Sequence, residues 1–221
     1  MPAATATPLL HDGPAAGPKL VLAHGAGAPM DSGFMQAMAG LLAARGIHVI
    51  RFEFAYMAAR RSGSGRKPPS RMPQLLQEYR AVLASLGEGP VFIGGKSMGG
   101  RAASMLAAGP DAPGNIAGLV CLGYPFHPPG KPDQLRTAHL GDVCCPTLIV
   151  QGERDLFGTR DEVAEFDLPT RISVQWCPAG NHDLEPPKRS GHTAETNWQT
   201  AADAISAFIS SGSVQPGTAA R

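Results

Sequence analysis

A serine flanked by glycines is the residue in this chain best placed for covalent chemistry. Residues 95–99 are Gly-Lys-Ser-Met-Gly, directly after the apolar run 90–93 and shortly before a helix-forming run at 102–108. A strand that turns sharply into a helix strains the joining residue, and glycines two positions away on each side let strand and helix approach closely. The pattern predicts an exposed Ser97 hydroxyl at a helix N-terminus, where the Met98 amide favours developing negative charge.

A serine hydroxyl acts as a nucleophile only when a base removes its proton and a carboxylate holds that base in one tautomer. Asp155 follows the apolar run 146–150, and His182 follows the next such run, 172–177. Each lies in a loop just past the predicted carboxyl end of a strand. Ser97, Asp155 and His182 then occur in the order nucleophile, acid, base, so we predict that they form a catalytic triad.

Other residues compete for two of these roles. Glu153 lies in the same loop as Asp155 and is an alternative acid, and either carboxylate is also consistent with an ordinary solvated turn. A histidine in a polar loop is usually only a surface residue, and His127, His139 and His192 are alternative bases. The joint arrangement past three different strands favours the triad.

Acyl transfer also needs at least two hydrogen-bond donors for the oxyanion. The Met98 amide supplies one, and the early loop His-Gly-Ala-Gly, residues 24–27, is the candidate for the second. We prefer the Ala26 amide, with Gly27 as its neighbour, because small residues let the backbone approach a substrate oxygen; an ordinary glycine turn is the alternative. His24 is interpreted as a structural residue that hydrogen-bonds this loop.

The elements that position these residues alternate along the chain. The strands are apolar throughout instead of alternating in polarity, which is typical of a parallel sheet covered on both faces. The sequence predicts an α/β fold with a mostly parallel sheet of six or seven strands, whose functional residues gather at the carboxyl ends. The predicted strands are 19–23, 47–54, 90–93, 116–122, 146–150 and 172–177, and the predicted helices are 34–44, 74–86, 102–108, 159–166 and 195–209.

A chain of 221 residues with 43% hydrophobic content is long enough for one sizeable core. We predict a single domain over residues 19–210. Residues 1–18 are expected to be poorly ordered, with at most a short edge strand around Leu9 and Leu10, and residues 211–221 to form a frayed tail. The basic stretch 60–73 is predicted to be a long loop.

Composition limits the partners of this chain. A formal net charge of +1 argues against nucleic-acid or membrane-surface binding driven by bulk charge, so a small molecule is the expected partner. The N-terminus lacks the pattern of a signal peptide and no apolar run reaches membrane-spanning length, which favours a cytoplasmic protein. No metal or nucleotide motif occurs, so no cofactor is expected. The sequence does not indicate an oligomeric state.

Four short motifs resemble the α/β-hydrolase superfamily over roughly residues 19–209: Gly-Lys-Ser-Met-Gly, the early His-Gly-Ala-Gly, Gly-Glu-Arg-Asp and Gly-Asn-His-Asp. The resemblance implies a hydrolase that works through an acyl-enzyme, with Ser97 as nucleophile, Asp155 as orienting acid and His182 as base. Three longer stretches are similar to a small lidless group related to the testis-expressed and histone-acetyltransferase-complex hydrolase-like proteins: 24–31, 51–57 and 94–104.

Only about two dozen residues separate the strand ending near Gly123 from Pro146, which leaves no room for a helical cap domain. The proline-rich segment 124–132 is predicted to be a stiff wall of an open site, with Tyr124 and Phe126 contacting substrate. We expect an esterase or thioesterase that cleaves a small ester. An amide or peptide hydrolase with the same triad, or a non-catalytic interaction module on this scaffold, is the alternative.

Overall fold

Seven strands form one sheet at the centre of the fold. The computed structural model describes residues 8–61, 63, 65 and 68–212. The strand order is β1-β3-β2-β4-β5-β6-β7, and every neighbouring pair is parallel except the antiparallel β1 and β3. The predicted mostly parallel α/β sheet is confirmed. The strands are β1 (Leu9–Asp12), β2 (Lys19–Ala23), β3 (His48–Phe52), β4 (Val91–Lys96), β5 (Ile116–Leu122), β6 (Thr147–Gly152) and β7 (Ile172–Cys177).

Helices cover both faces of this sheet. The α-helices are α1 (Gly33–Ala43), α2 (Ala55–Arg61), α3 (Met72–Ser85), α4 (Met98–Ala107), α5 (Arg160–Ala164) and α6 (Ala194–Gly212), and short 3₁₀ helices span Ala138–Asp142 and Lys188–Ser190. The segment between β5 and β6 contains only the first of these 3₁₀ helices, so it forms no cap domain. Among the helices in the described ranges, none is both long enough and apolar enough to cross a membrane.

Two apolar clusters lie on opposite faces of the sheet. Neighbouring residues of one strand point to opposite faces, so Val21 belongs to one cluster and Leu20 to the other. Helices α3 and α4 pack on the first face through residues such as Tyr79, and α1 and α6 pack on the second through residues such as Leu42 and Ile205. Burial on both faces explains why the strands are apolar throughout.

The ends of the domain differ from the prediction. Leu9–Asp12 pairs with β3, and the Asp12 carboxylate forms an ion pair with Arg51 at 2.9 Å. The sheet therefore begins before residue 19, at the short edge strand that the sequence allows around Leu9 and Leu10. Helix α6 extends to Gly212, two residues into the predicted tail. The rest of that tail and residues 1–7 lie outside the described residues.

Helix α2 was not predicted. Its last two residues, Arg60 and Arg61, fall in the stretch 60–73 that the sequence indicates as a loop. The helix is short, and it is stabilised by burial of Tyr56 and Met57 against the core. Tertiary packing of this kind outweighs weak local helix propensity. Residues 62, 64, 66 and 67 of the basic stretch lie outside the described residues.

Candidate active site

Ser97 occupies a strained turn between β4 and α4. Its φ angle is 51°, in the left-handed region that non-glycine residues rarely adopt, and its amide donates to the Leu122 carbonyl at 2.9 Å. A Cβ atom added at Gly95 or at Gly99 would lie 2.5 Å from the Ala23 carbonyl oxygen on β2. The two glycines are therefore required by the close approach of strand and helix, as the sequence pattern predicts.

The Ser97 side chain borders a cleft of about 400 Å³ at the carboxyl end of the sheet. Ala26 and Met98 line the same cleft on one side, and Pro125 and Phe157 line it on another. Ser97 Oγ forms no hydrogen bond with any residue in the described part of the chain. Its hydroxyl is therefore not committed to a structural role.

The structure brings the predicted acid and base into contact. Asp155 is fully buried, and its Oδ2 accepts a hydrogen bond from His182 Nδ1 at 2.8 Å. An ionised carboxylate can only accept, so Nδ1 carries the proton and Nε2 keeps a free lone pair. The His182 side chain is 25% exposed, and its ring lies 4.3 Å from the Phe157 ring that lines the Ser97 cleft. The candidate base therefore lies against a residue that lines the cleft.

Two further donors hold the Asp155 carboxylate in place. The Gln151 amide donates to Oδ2 at 2.9 Å, and the Phe157 backbone amide donates to Oδ1 at 2.9 Å. A buried carboxylate is costly unless it is hydrogen-bonded, and these donors compensate for its burial. Gln151 is itself fixed, because its side-chain oxygen accepts from the Tyr124 amide at 2.7 Å. Sequence reasoning missed Gln151, although a glutamine near the end of an apolar strand was a usable signal.

In the described ranges, none of the competing candidates forms a side-chain hydrogen bond or ion pair with Asp155 or His182. Glu153 accepts from the Ala179 amide at 2.9 Å, which lowers the pKa of its carboxyl, and it forms an ion pair with Arg160 at 2.7 Å. Among the alternative bases, His139 hydrogen-bonds Ser104. His127 lies 3.4 Å from Glu162, and His192 is exposed.

Lys96 connects the serine turn to the histidine loop, residues 178–185. Its Nζ donates to the His182 carbonyl at 2.7 Å and lies 3.2 Å from the Asp183 carboxylate. The Lys96 side chain is only 8% exposed, and burial lowers its pKa. The residue next to the candidate nucleophile therefore restrains the backbone of the candidate base.

Helix α6 restrains the same loop from the other side. The Asn197 side-chain amide donates to the Pro178 carbonyl at 3.0 Å and to the Leu184 carbonyl at 2.8 Å. Asn197 is buried, so these bonds are shielded from water. The histidine loop is thus attached to the core at both of its ends, and Asn197 is a second positioning residue that the sequence did not reveal.

Of the two residues predicted for the oxyanion loop, Ala26 and Gly27, only Ala26 lines the cleft. Ala26 lines the cleft beside Ser97, and its carbonyl accepts from the Tyr56 hydroxyl at 3.0 Å. Gly27 is exposed and does not line the cleft. Met98 and Ala26 both line the cleft, so their amides remain the two candidate donors to an oxyanion.

His24 has the structural role that its position indicates. Its Nδ1 donates to the Gly25 carbonyl at 2.6 Å, and its Nε2 accepts from the Phe54 amide at 3.1 Å. Burial lowers the pKa of His24, so the imidazole is neutral and can donate and accept at once. The residue joins the oxyanion loop to the chain after β3.

Residues 16–210 match the family described as the alpha/beta hydrolase domain. This match covers most of the chain, including all three predicted triad residues. The chain belongs to the α/β-hydrolase family. Its mostly parallel sheet with helices on both faces is the fold that the sequence resemblance implies.

Several solved structures are similar to this α/β hydrolase. Est1E from Butyrivibrio proteoclasticus is 15% identical with a TM-score of 0.69 over 94% of each chain. A monoacylglycerol lipase from Paleococcus ferrophilus is 17% identical with a TM-score of 0.64 over 93% of this chain and 99% of that one. An esterase domain from Rhodothermus marinus is 15% identical with a TM-score of 0.63 over 90% of each chain. These likenesses establish the fold.

Tyr124 and Phe126 are not at the surface of the hydrolase cleft. Both side chains are fully buried, with their rings 4.9 Å apart, and the Tyr124 hydroxyl donates to the Arg136 carbonyl. The predicted substrate contact is therefore wrong for both. Gly123 explains the error, since its φ of 63° turns the chain so that these two rings enter the core and Pro125 borders the cleft.

The hydrolase has larger clefts elsewhere. Clefts of about 600 and 640 Å³ lie at the amino-terminal ends of the strands, next to Gly89, and neither is lined by Ser97, Asp155 or His182. No group of three histidine, cysteine or acidic residues in the described ranges is arranged to hold a metal ion.

Proposed function

We propose that this α/β hydrolase cleaves a small ester or thioester through an acyl-enzyme on Ser97. The observation that carries the proposal is the 2.8 Å hydrogen bond from His182 to the buried Asp155, at the same edge of the sheet as the strained serine. A fixed tautomer with a free Nε2 is what a general base for a serine requires.

The reaction divides into two steps. His182 Nε2 takes the hydroxyl proton while Ser97 Oγ attacks the carbonyl carbon, and the Met98 and Ala26 amides stabilise the oxyanion. The protonated His182 then gives that proton to the leaving alcohol or thiol. In the second step His182 takes a proton from water as that water attacks the acyl-enzyme carbonyl. The second tetrahedral intermediate then collapses, the bond between the acyl carbon and Ser97 Oγ breaks, and His182 returns the proton to Oγ, which releases the acid. Asp155 stays ionised throughout.

Ester chemistry is the class that the comparisons favour. The similar structures include Est1E, one form of which has ferulic acid bound, together with a monoacylglycerol lipase and an esterase domain. A cleft of about 400 Å³ without a cap domain suits a small acyl group. The narrower resemblance to testis-expressed and histone-acetyltransferase-complex hydrolase-like proteins gives no information about the substrate.

Labelling by a fluorophosphonate probe, followed by intact mass, tests the activated serine. Wild type, Ser97→Ala and His182→Ala are compared, with the exposed His192→Ala as a matched control. We expect one adduct on wild type and His192→Ala, none on Ser97→Ala, and strongly slowed labelling of His182→Ala. Hydrolysis of 4-nitrophenyl butyrate should fall about 10⁶-fold in Ser97→Ala.

Two results would change the proposal. Folded wild type that acquires no adduct contradicts an activated serine and favours a non-catalytic interaction module. Labelling together with faster cleavage of a 4-nitroanilide than of the matching 4-nitrophenyl ester favours an amide or peptide hydrolase. Because esters, thioesters and amides share the acyl-enzyme, the leaving group is the variable that separates these classes.

A further inference from the structure

The cleft beside Ser97 is lined by an arginine that the mechanism does not use. Arg101 lies four residues after Ser97, and its amide donates to the Ser97 carbonyl at 2.9 Å. Residues four apart share one face of a helix, and their side chains tilt toward the helix N-terminus, which here is the serine turn. Arg101 Nε is shielded from water and has no hydrogen-bond partner among the described residues.

A second arginine reaches the cleft from the segment between β5 and β6. The backbone of Arg136 is fixed from two sides, since its amide donates to the Phe126 carbonyl at 2.7 Å and its carbonyl accepts from the Tyr124 hydroxyl at 2.9 Å. Partial burial and the nearby charge of Arg101 lower the pKa of Arg136. The buried aromatic pair that was predicted to bind substrate therefore holds this arginine at the cleft.

No carboxylate compensates these two charges. In the ranges that the structure describes, neither Arg101 nor Arg136 forms a side-chain hydrogen bond or an ion pair. The polar groups next to them are neutral: Tyr124 and Ser104 carry hydroxyls, and burial lowers the pKa of His139 to about 4. Arg101 and Arg136, which both line the cleft, thus carry two positive charges without a counter-ion in the described part of the chain.

Partly buried charges of like sign destabilise one another unless an anion lies between them. The planar guanidinium matches carboxylate and phosphate oxygens in pairs, and such charge-assisted bonds are about twice as strong as neutral ones. We propose that Arg101 and Arg136 together bind an anionic group of the substrate, a carboxylate or a phosphate, while its ester carbonyl lies at Ser97. This inference rests on the proposed function and narrows the substrate class to negatively charged esters.

Two 4-nitrophenyl esters of equal acyl-chain length test the inference. The hexanoate ester ends in a methyl group, whereas the adipate monoester ends in a carboxylate. We expect wild type to have a higher kcat/KM for the adipate monoester. Arg101→Gln and Arg136→Gln should each lower the ratio of the two kcat/KM values by about 10- to 100-fold, as expected for a lost charge-assisted hydrogen bond. Because the ratio is taken within one variant, partial misfolding cancels.

Arg80→Gln is the matched control. Arg80 also has a shielded Nε without a hydrogen-bond partner, but it lines a cleft at the amino-terminal ends of the strands. In Arg80→Gln, the ratio of the two kcat/KM values should be the same as in wild type.

An inhibition experiment on the wild-type protein adds to this test. Adipate or inorganic phosphate should inhibit hydrolysis of the hexanoate ester more strongly than sodium chloride does at equal ionic strength. Stronger inhibition by adipate identifies a carboxylate ligand, and stronger inhibition by phosphate identifies a phosphate.

The outcomes separate this inference from the proposed function. Hydrolysis of both esters at similar kcat/KM, with Ser97 labelled and no inhibition by either anion, overturns the anion site and leaves the hydrolase intact. A preference for the adipate monoester that survives in both arginine variants also overturns it. Absence of labelling and of both hydrolyses overturns the proposed function, and the inference with it.

Discussion

The histidine side and the arginine side of the Ser97 cleft satisfy their polar groups differently. On the histidine side, the Asp155 carboxylate has three hydrogen-bond donors, and the loop carrying His182 is held by Lys96 and Asn197. On the arginine side, the charges of Arg101 and Arg136 have no partner in the described chain. Groups of the protein itself satisfy the hydrogen bonds on the histidine side, whereas the described chain supplies no partner for the charges on the arginine side.

This difference separates two tasks of one site. Groups that move protons must be held in one geometry before substrate arrives, because reorganisation during the reaction raises the barrier. Groups that select a substrate contribute most to selectivity when their hydrogen-bonding capacity is unused until the substrate binds. Variants on the histidine side should therefore lower kcat, whereas variants on the arginine side should change the choice of substrate.

Among the variants that leave Ser97 and His182 in place, Asp155→Asn should produce the largest loss of activity. An asparagine amide can donate to His182 Nδ1 and so favour the wrong tautomer, and kcat should fall about 10⁴-fold with little change in the thermal midpoint. Hydrolysis of 4-nitrophenyl butyrate and a thermal melt measure the two quantities. Glu153→Gln, in the same loop, should retain activity within about tenfold. Equal losses in both variants would contradict the special role of Asp155.

Lys96→Met should have a smaller effect of the same kind. The variant keeps the apolar stem but removes the donor to the His182 carbonyl, so the ring loses part of its alignment. We expect kcat to fall about 10- to 100-fold while KM changes less, because a displaced base costs rate more than affinity. Steady-state kinetics on a neutral ester measure both constants. A rise in KM at constant kcat would instead assign Lys96 to substrate binding.

Tyr124→Phe distinguishes a core residue from a substrate contact. Loss of the hydroxyl removes its hydrogen bond to the Arg136 carbonyl inside the core. The free energy of unfolding should fall by about 1 kcal/mol, and KM for the hexanoate ester should stay within twofold of wild type. Urea denaturation gives the first value and steady-state kinetics the second. An unchanged free energy of unfolding with a tenfold higher KM would indicate that Tyr124 contacts substrate.

His139 gives the arginine side a pH dependence. Burial and the charge of Arg101 lower its pKa from 6.5 to about 4, so the unfolded chain binds a proton in this interval that the folded chain does not. The free energy of unfolding should therefore fall as pH is lowered from about 6.5 to about 4. His139→Gln should show a smaller fall in denaturation midpoints over this range than the exposed control His192→Gln. An identical pH dependence of the denaturation midpoints in the two variants would contradict the assignment of this effect to His139.

The positions of the candidate catalytic residues were predictable because each obeys a local rule. A strained serine needs glycines at two fixed positions, and parallel strands bring the residues past their carboxyl ends to one edge. Those rules placed Asp155 and His182 in loops that the structure joins by a hydrogen bond. Arg101 also had a usable signal, since its spacing of four from Ser97 puts both on one helix face.

Other features depend on contacts that no local pattern encodes. Whether Tyr124 or Pro125 faces the cleft is decided by the backbone turn at Gly123, where the φ angle of 63° is not visible in the sequence. Arg136 lines the cleft because the irregular segment between β5 and β6 is hydrogen-bonded to the core, through the Tyr124 hydroxyl and the Arg136 carbonyl. Strand β1 is a short edge strand whose pairing with β3 depends on residues about 40 positions away.

The two uncompensated arginine charges also have a consequence for the speed of encounter. The chain as a whole carries a formal charge of only +1, so its overall field is weak at long range. A positive cleft with low-dielectric walls concentrates field lines and draws anions inward before any contact forms. This attraction reaches about one Debye length, roughly 8 Å at physiological ionic strength. Added salt should therefore slow the capture of a charged ester while leaving that of a neutral ester of the same size unaffected.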